Sequence, residues 1–165
     1  MSEMSDRTEV GLPDGVADLL DGRDLRAHVG FTMQLVTVDE AGWPRVALLS
    51  VGEVVALDEA HLRLALWPGS HTTDNLARTG HGLLAFVHGG SSHTVRIETG
   101  RTTDLGGPHV RATFDAIVVE VRTDEVPYAT LTGGITFDLP DPKPVIERWR
   151  ATVDSLRTNG AGRAG

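Results

Sequence analysis

The chain has no cysteine, and only one of its 15 Lys+Arg residues, Lys143, is a lysine. Without thiols there is no disulfide scaffold, no thiolate nucleophile, no zinc ribbon and no iron–sulfur cluster. Aromatic residues make up 5% of the composition, with a single tyrosine, Tyr128. No apolar run approaches the ~20 residues that a membrane-spanning helix needs. Residues 1–15 carry no basic segment followed by an apolar one, so no secretory signal is expected and a cytoplasmic location is. Basic residues are also outnumbered. With 23 Asp+Glu the formal net charge is -8, which opposes the counterion displacement that nucleic-acid binding uses. The same charge opposes a polybasic membrane-surface role.

What is present is an ordinary core-forming composition. Of 165 residues, 40% are hydrophobic, which fits one domain of about 100–200 residues. That domain is expected to span 1–165, with 1–14 and 158–165 as flexible tails. Val16, Leu19 and Leu20 suggest a short helix with Asp14 as N-cap and Gly22 as its stop. Strand patterns follow at 31–38, 45–51, 53–57 and 62–66, with turns at Asp39-Glu40-Ala41-Gly42 and Asp58-Glu59-Ala60. Ser70 is placed to cap a helix over 71–79 that Gly80 ends. Strands are then expected at 83–87, 94–103 and 110–121, the last two joined through Gly106-Gly107-Pro108. In the last strand, alternation puts Ala112, Phe114, Ala116, Val118 and Glu120 on one face, and Val119 and Val121 on the other. Val126 to Leu131 reads as one or two helical turns. Val145, Ile146, Trp149, Val153 and Leu156 recur at helical spacing and predict an amphipathic helix over 143–157. The fold class is mainly β: a small barrel of about six antiparallel strands with one inserted helix and a C-terminal helix.

Recognised catalytic motifs are absent. The seven histidines include no His-Glu-x-x-His, and His88 and His93, which flank a Gly/Ser loop, do not make a metal set of three or four ligands. Gly-x-Ser-x-Gly, Gly-x-Gly-x-x-Gly and the P-loop are all missing. Ser92 and His93 are adjacent in an extended segment, so they point to opposite faces and make a poor nucleophile–base pair. One segment does suit an anion. A strand ends in Trp67-Pro68-Gly69, and Ser70-His71-Thr72-Thr73 opens a helix whose first N–H groups lack intrahelical partners.

The order of these parts resembles the pyridoxamine 5'-phosphate oxidase-like FMN-binding split barrels. Three segments carry the likeness: the hairpin Val36 to Pro44, the strand Arg45-Val46-Ala47-Leu48-Leu49-Ser50, and the run Gly69 to Phe86. The second resembles the family's Arg-x-Val-Leu-Leu-Lys strand, and the third its Gly-Ser-Arg-Lys helix start and next strand. Over about residues 30–122 the resemblance implies a split β-barrel and a homodimer with FMN at the subunit interface. By position, Arg45 would face the phosphate, Val46 to Leu49 would line the flavin through backbone groups, and Ser70, His71 and Thr72 would cap the phosphate. Trp67 would lie near the ring or ribityl chain, and Ser50 holds the strand-lysine position. Ser50 replaces that lysine, His71-Thr72 an Arg-Lys pair, and Val95 a glutamine. Phosphate recognition thus falls to Arg45, hydroxyls and helix-start amides, with Arg78, Arg96 or Arg111 as compensating cations. The implied function is an FMN-dependent oxidoreductase acting on a small-molecule substrate. The alternatives are an F420-dependent reductase of the same fold, or a cofactor- or ligand-binding protein that has lost flavin.

Overall fold

The computed structural model describes residues 5–158. Eight strands form one curled antiparallel sheet: β1 (Ser5–Glu9), β2 (Met33–Val38), β3 (Pro44–Leu49), β4 (Val54–Ala56), β5 (His61–Leu66), β6 (His81–His88), β7 (Ser91–Arg101) and β8 (Ala112–Glu125). Their order is β3-β2-β6-β7-β8-β5-β4, with β1 also on β8. The helices are α1 (Val16–Leu19), α2 (His71–Thr79) and α3 (Pro142–Thr158), with a 3-10 turn at Leu25–His28. The expected split barrel is present, with eight strands rather than about six.

Alternation sets the inner face. Met33 and Leu35 of β2, Leu84 and Phe86 of β6, and Val95 and Ile97 of β7 are all buried, two residues apart as a pleated strand requires. Strand β8 breaks the expected alternation. A register shift opposite Arg96/Ile97 leaves Val119 as an extra residue, because Arg96 pairs with Glu120 while Ile97 pairs with Val118. This bulge turns Val121 back to the inner face beside Val118, both buried. Glu120 therefore leaves the face that simple alternation gave it.

Three further expectations are corrected. Ser5–Glu9, within the expected tail, pairs along β8 from Ser5↔Glu125 to Glu9↔Val121; β8 runs past the end of β5 and leaves that edge open. The N-cap of α1 is Gly15 at φ 79, not Asp14, and it makes no side-chain cap bond. Residues 126–131 form no helix. Val126 and Ala129 make an isolated bridge, and the Leu131 N–H donates to Gly90 O at 3.1 Å. Pro127 and the Gly133-Gly134 pair oppose helix here, so 126–141 crosses the sheet as an irregular strap. Residues 159–165, in the expected second tail, lie outside the described residues. No helix among the described residues is long and apolar enough to cross a membrane.

Candidate functional site

Strand β3 is the outer edge of the sheet, paired only to β2, so one row of its backbone N–H and C=O groups is open. The strand spans about 17 Å from Pro44 to Leu49 and links two depressions of different charge.

At its start, the Arg45 Nε donates to Asp39 Oδ2 at 3.3 Å. Asp39 Oδ1 also accepts from the N–H groups of Trp43 at 2.9 Å and Ala41 at 3.0 Å. The Trp43 amide, against the opposing cost of burial and with help from Arg45 and the Ala41 amide, holds the Asp39 carboxyl below its ordinary range. Arg45 is thus engaged by the hairpin turn. Beyond Asp39 lies a surface recess of about 500 Å³ lined by Asp39, Glu40, His71, Asp74 and Arg78. Helix α2 is tied over β2 by Asn75 Nδ2 donating to Thr37 Oγ1 at 3.1 Å and by Arg78 donating to Val38 O.

The start of α2 is closed on itself. Ser70 Oγ accepts from Thr73 N–H at 3.2 Å and donates to Thr73 Oγ1 at 3.0 Å. Thr73 Oγ1 in turn donates to Trp67 O at 2.7 Å. The Ser70 hydroxyl is therefore spent on capping, as its position predicts. His71 is exposed and Thr72 half-buried.

Along β3, Val46 and Leu48 are each 56% exposed on the outer face; Ala47 is half-buried, and Leu49 and Ser50 are buried. At the far end Ser50 meets a carboxylate. Its N–H donates to Glu53 Oε2 at 2.6 Å and its Oγ–H to the same atom at 2.9 Å. The Glu53 carbonyl accepts from Ala65 N–H of β5 at 2.9 Å, and β5 pairs Leu66 with Ala112. Trp67 and Arg111 follow in register, and the Arg111 guanidinium lies 3.9 Å from the Trp67 ring centroid. Arg111 is 7% exposed. Its burial, and then the charge of Arg148, pull its pKa down; Glu53 opposes that. A cavity of about 310 Å³ opens beside Ser50 and Glu53, walled by Leu48, Phe137, Leu139, Arg148 and Trp149.

The structure thus divides the anticipated residues. Arg45 and His71 gather near Asp39; Ser50 and Trp67 gather near Glu53 and Arg111; Val46 to Leu49 connect them. Val95 points inward and is fully buried. Of the compensating cations considered, Arg78 bonds Val38 and Arg96 pairs with Glu120 at 3.4 Å. Glu53 and Arg148 were not anticipated. The Ser50-x-x-Glu53 spacing is a legible capping signature, whereas Arg148 reads as solvent-facing until α3 is docked. Among the described residues no three His, Cys, Asp or Glu side chains could hold a metal ion.

No family model matches the chain. It is 34% identical over 149 residues to YclD of Bacillus subtilis, an uncharacterised protein, covering 88% of this chain and 96% of that one. In fold it is similar to a candidate pyridoxamine 5'-phosphate oxidase from Lactobacillus delbrueckii, with a TM-score of 0.52 at 17% identity over 67% of this chain and 93% of the other. An F420 reductase superposes with a TM-score of 0.51 at 15% identity, over 67% and 98% of the two chains. The chain belongs to one family with YclD, and its fold is that of the pyridoxamine 5'-phosphate oxidase-like split barrels. Its charge near Arg45 departs from what the resemblance implies. The recess near Arg45 carries three carboxylates, Asp39, Glu40 and Asp74, which do not suit a phosphate dianion. The open edge of β3, flanked by Val46 and Leu48, does suit a planar ring with donors and acceptors along one side.

Proposed function

We propose that the protein is an FMN-dependent oxidoreductase of the split-barrel family, acting on a small substrate at a two-chain site. The observation that carries this reading is the open, apolar-flanked edge of β3 in a family whose fold binds FMN. A bound flavin would supply hydride or electron transfer. The chain's contribution is backbone hydrogen bonding from Val46 to Leu49, apolar walls at Val46 and Leu48, and the indole of Trp67. A homodimer completes the groove, because the apolar outer sheet face beside β3 needs a cover. The test is flavin absorption by the purified protein, followed by calorimetric titration of the apoprotein with FMN and, separately, F420. Micromolar FMN binding supports the reading. A colourless protein that takes up no FMN overturns it, and tighter F420 binding transfers it to the deazaflavin.

A second reading, a ligand-binding protein without flavin, is favoured by one observation: Glu53 bonds Ser50 where the family's strand lysine stands. Ligand binding without flavin uptake would select it.

A further inference from the structure

We infer that Arg111 and Arg148 form an oxyanion site at the Glu53 end of β3, taking the carboxylate or phosphate of a small molecule whose apolar part fills the adjoining cavity. This names the anion chemistry at one end of the groove described above and stands whether or not flavin occupies the rest.

The first observation is a buried cation without a carboxylate. Arg111 is more than nine-tenths buried. The one hydrogen bond of its guanidinium among the described residues is from Nη1 to Val110 O at 2.8 Å, and its face lies on Trp67. A guanidinium has five N–H donors in a planar fork, so most of its capacity is unspent. A charge so far out of water is costly unless it is paired.

The second observation is a further cation on the cavity that Glu53 lines. Trp149 of α3 packs on Gly52, where a Cβ would lie 2.1 Å from the indole Cγ. That contact sets Arg148, the preceding residue, on the wall of the cavity that Ser50 and Glu53 also line. Among the described residues the Arg148 guanidinium makes no hydrogen bond or ion pair; only its carbonyl accepts, from Thr152 Oγ1 at 3.1 Å. Glu53 shares the cavity wall with Arg148 and acts by its charge on Arg111, but its Oε2 already accepts both Ser50 donors. Two guanidiniums and one carboxylate leave a net positive charge, which one bound anion neutralises. Most of the cavity's other walls are apolar, Phe137, Leu139, Val145 and Trp149 among them, with Thr32 and Thr136 beside them. Arg148 on the wall of a largely apolar pocket, with Arg111 near enough to feel its charge, selects an oxyanion with a hydrocarbon body, since the planar forks match its oxygens.

The test is calorimetric titration of the full-length protein with inorganic phosphate and with benzoate. It is repeated for Arg148→Gln, for Arg111→Lys and for Arg150→Gln, an exposed residue two positions after Arg148. Wild-type binding that weakens about tenfold or more in Arg148→Gln and Arg111→Lys, but not in Arg150→Gln, supports the site. A second titration with FMN assigns its source. If Arg148→Gln weakens FMN and phosphate together, the anion is the cofactor's phosphate; if FMN is unaffected, it belongs to the substrate. Arginine-dependent benzoate binding without any FMN binding supports this proposal while overturning the flavin reading. Wild-type protein that binds neither probe, or variants that bind both as wild type does, overturns the proposal.

Discussion

Single residues control the charge and spacing of the Glu53 end. Gly52 is one of them, because a methyl group there would lie 2.1 Å from Trp149 Cγ and the indole would have to move. Gly52→Ala should destabilise the protein by about 1–3 kcal/mol, as overpacked cores do. Chemical denaturation checks this, and an unchanged midpoint would refute the packing account. Glu53 works differently. Gln at that position keeps an acceptor for Ser50 but removes the negative charge near Arg111 and Arg148. Glu53→Gln should therefore bind inorganic phosphate more tightly than wild type, by about fivefold or more at low salt, since a half-buried carboxylate no longer competes. Equal or weaker binding in the same titration would show that Glu53 orders the arginines instead of opposing the anion.

At the scale of elements, the start of α2 tests a role that family resemblance and local physics assign differently. Resemblance makes Ser70 a phosphate ligand, while the hydrogen bonds make it the cap, accepting from Thr73 N–H and donating to Thr73 Oγ1. Ser70→Ala should cost about 1 kcal/mol of stability and leave FMN affinity unchanged; a loss of affinity at constant stability would reverse the assignment. A pH effect belongs to the joint between β6 and the N-terminal turns. Burial, and then the nearby imidazoles of His93 and His28, lower the pKa of His88. The unfolded chain therefore takes up that proton first as pH falls below about 6.5. The folded state accordingly loses stability on acidification through that range and regains it as pH rises. His88→Gln should show a smaller drop in melting temperature between neutral and mildly acidic pH than wild type, and parallel curves would exclude His88. Elements were legible where local signals agreed: Ser70 and Gly80 bound α2, with the C-cap at φ 68, and the helical spacing around Trp149 located α3. They were not legible where tertiary contacts decide. Ser5–Glu9 is a strand only because β8 offers an edge, and the bulge at Val119 has no marker in a run of Ile and Val. Among site residues, β3 and Trp67 followed from order along the chain, whereas the Arg148 position depends on Trp149 meeting Gly52.

For the whole molecule, the open question is what covers the outer face of the sheet. Register aligns Val46 with Val36 and Val36 with Leu83, and a groove of about 370 Å³ continues past Leu83 to Val119. Val46 is 56% and Val119 43% exposed, with Ile117 at 53% beyond. Contiguous apolar surface on a chain of net charge -8 is unusual unless a partner covers it. A second copy is the economical cover: a two-fold contact buries the same patch on both chains without matching a different surface. It would also place the open edge of β3, which ends in this patch, at the interface that the flavin reading requires. Val119→Asp adds a charge at the bulge, where strand pairing is already interrupted, so the monomer fold should survive. Sedimentation should give a dimer for wild type and a shift toward monomer for Val119→Asp, with FMN affinity falling in parallel. A wild-type monomer would remove the two-chain site. A dimer unaffected by Val119→Asp would move the interface elsewhere and leave this apolar face unexplained.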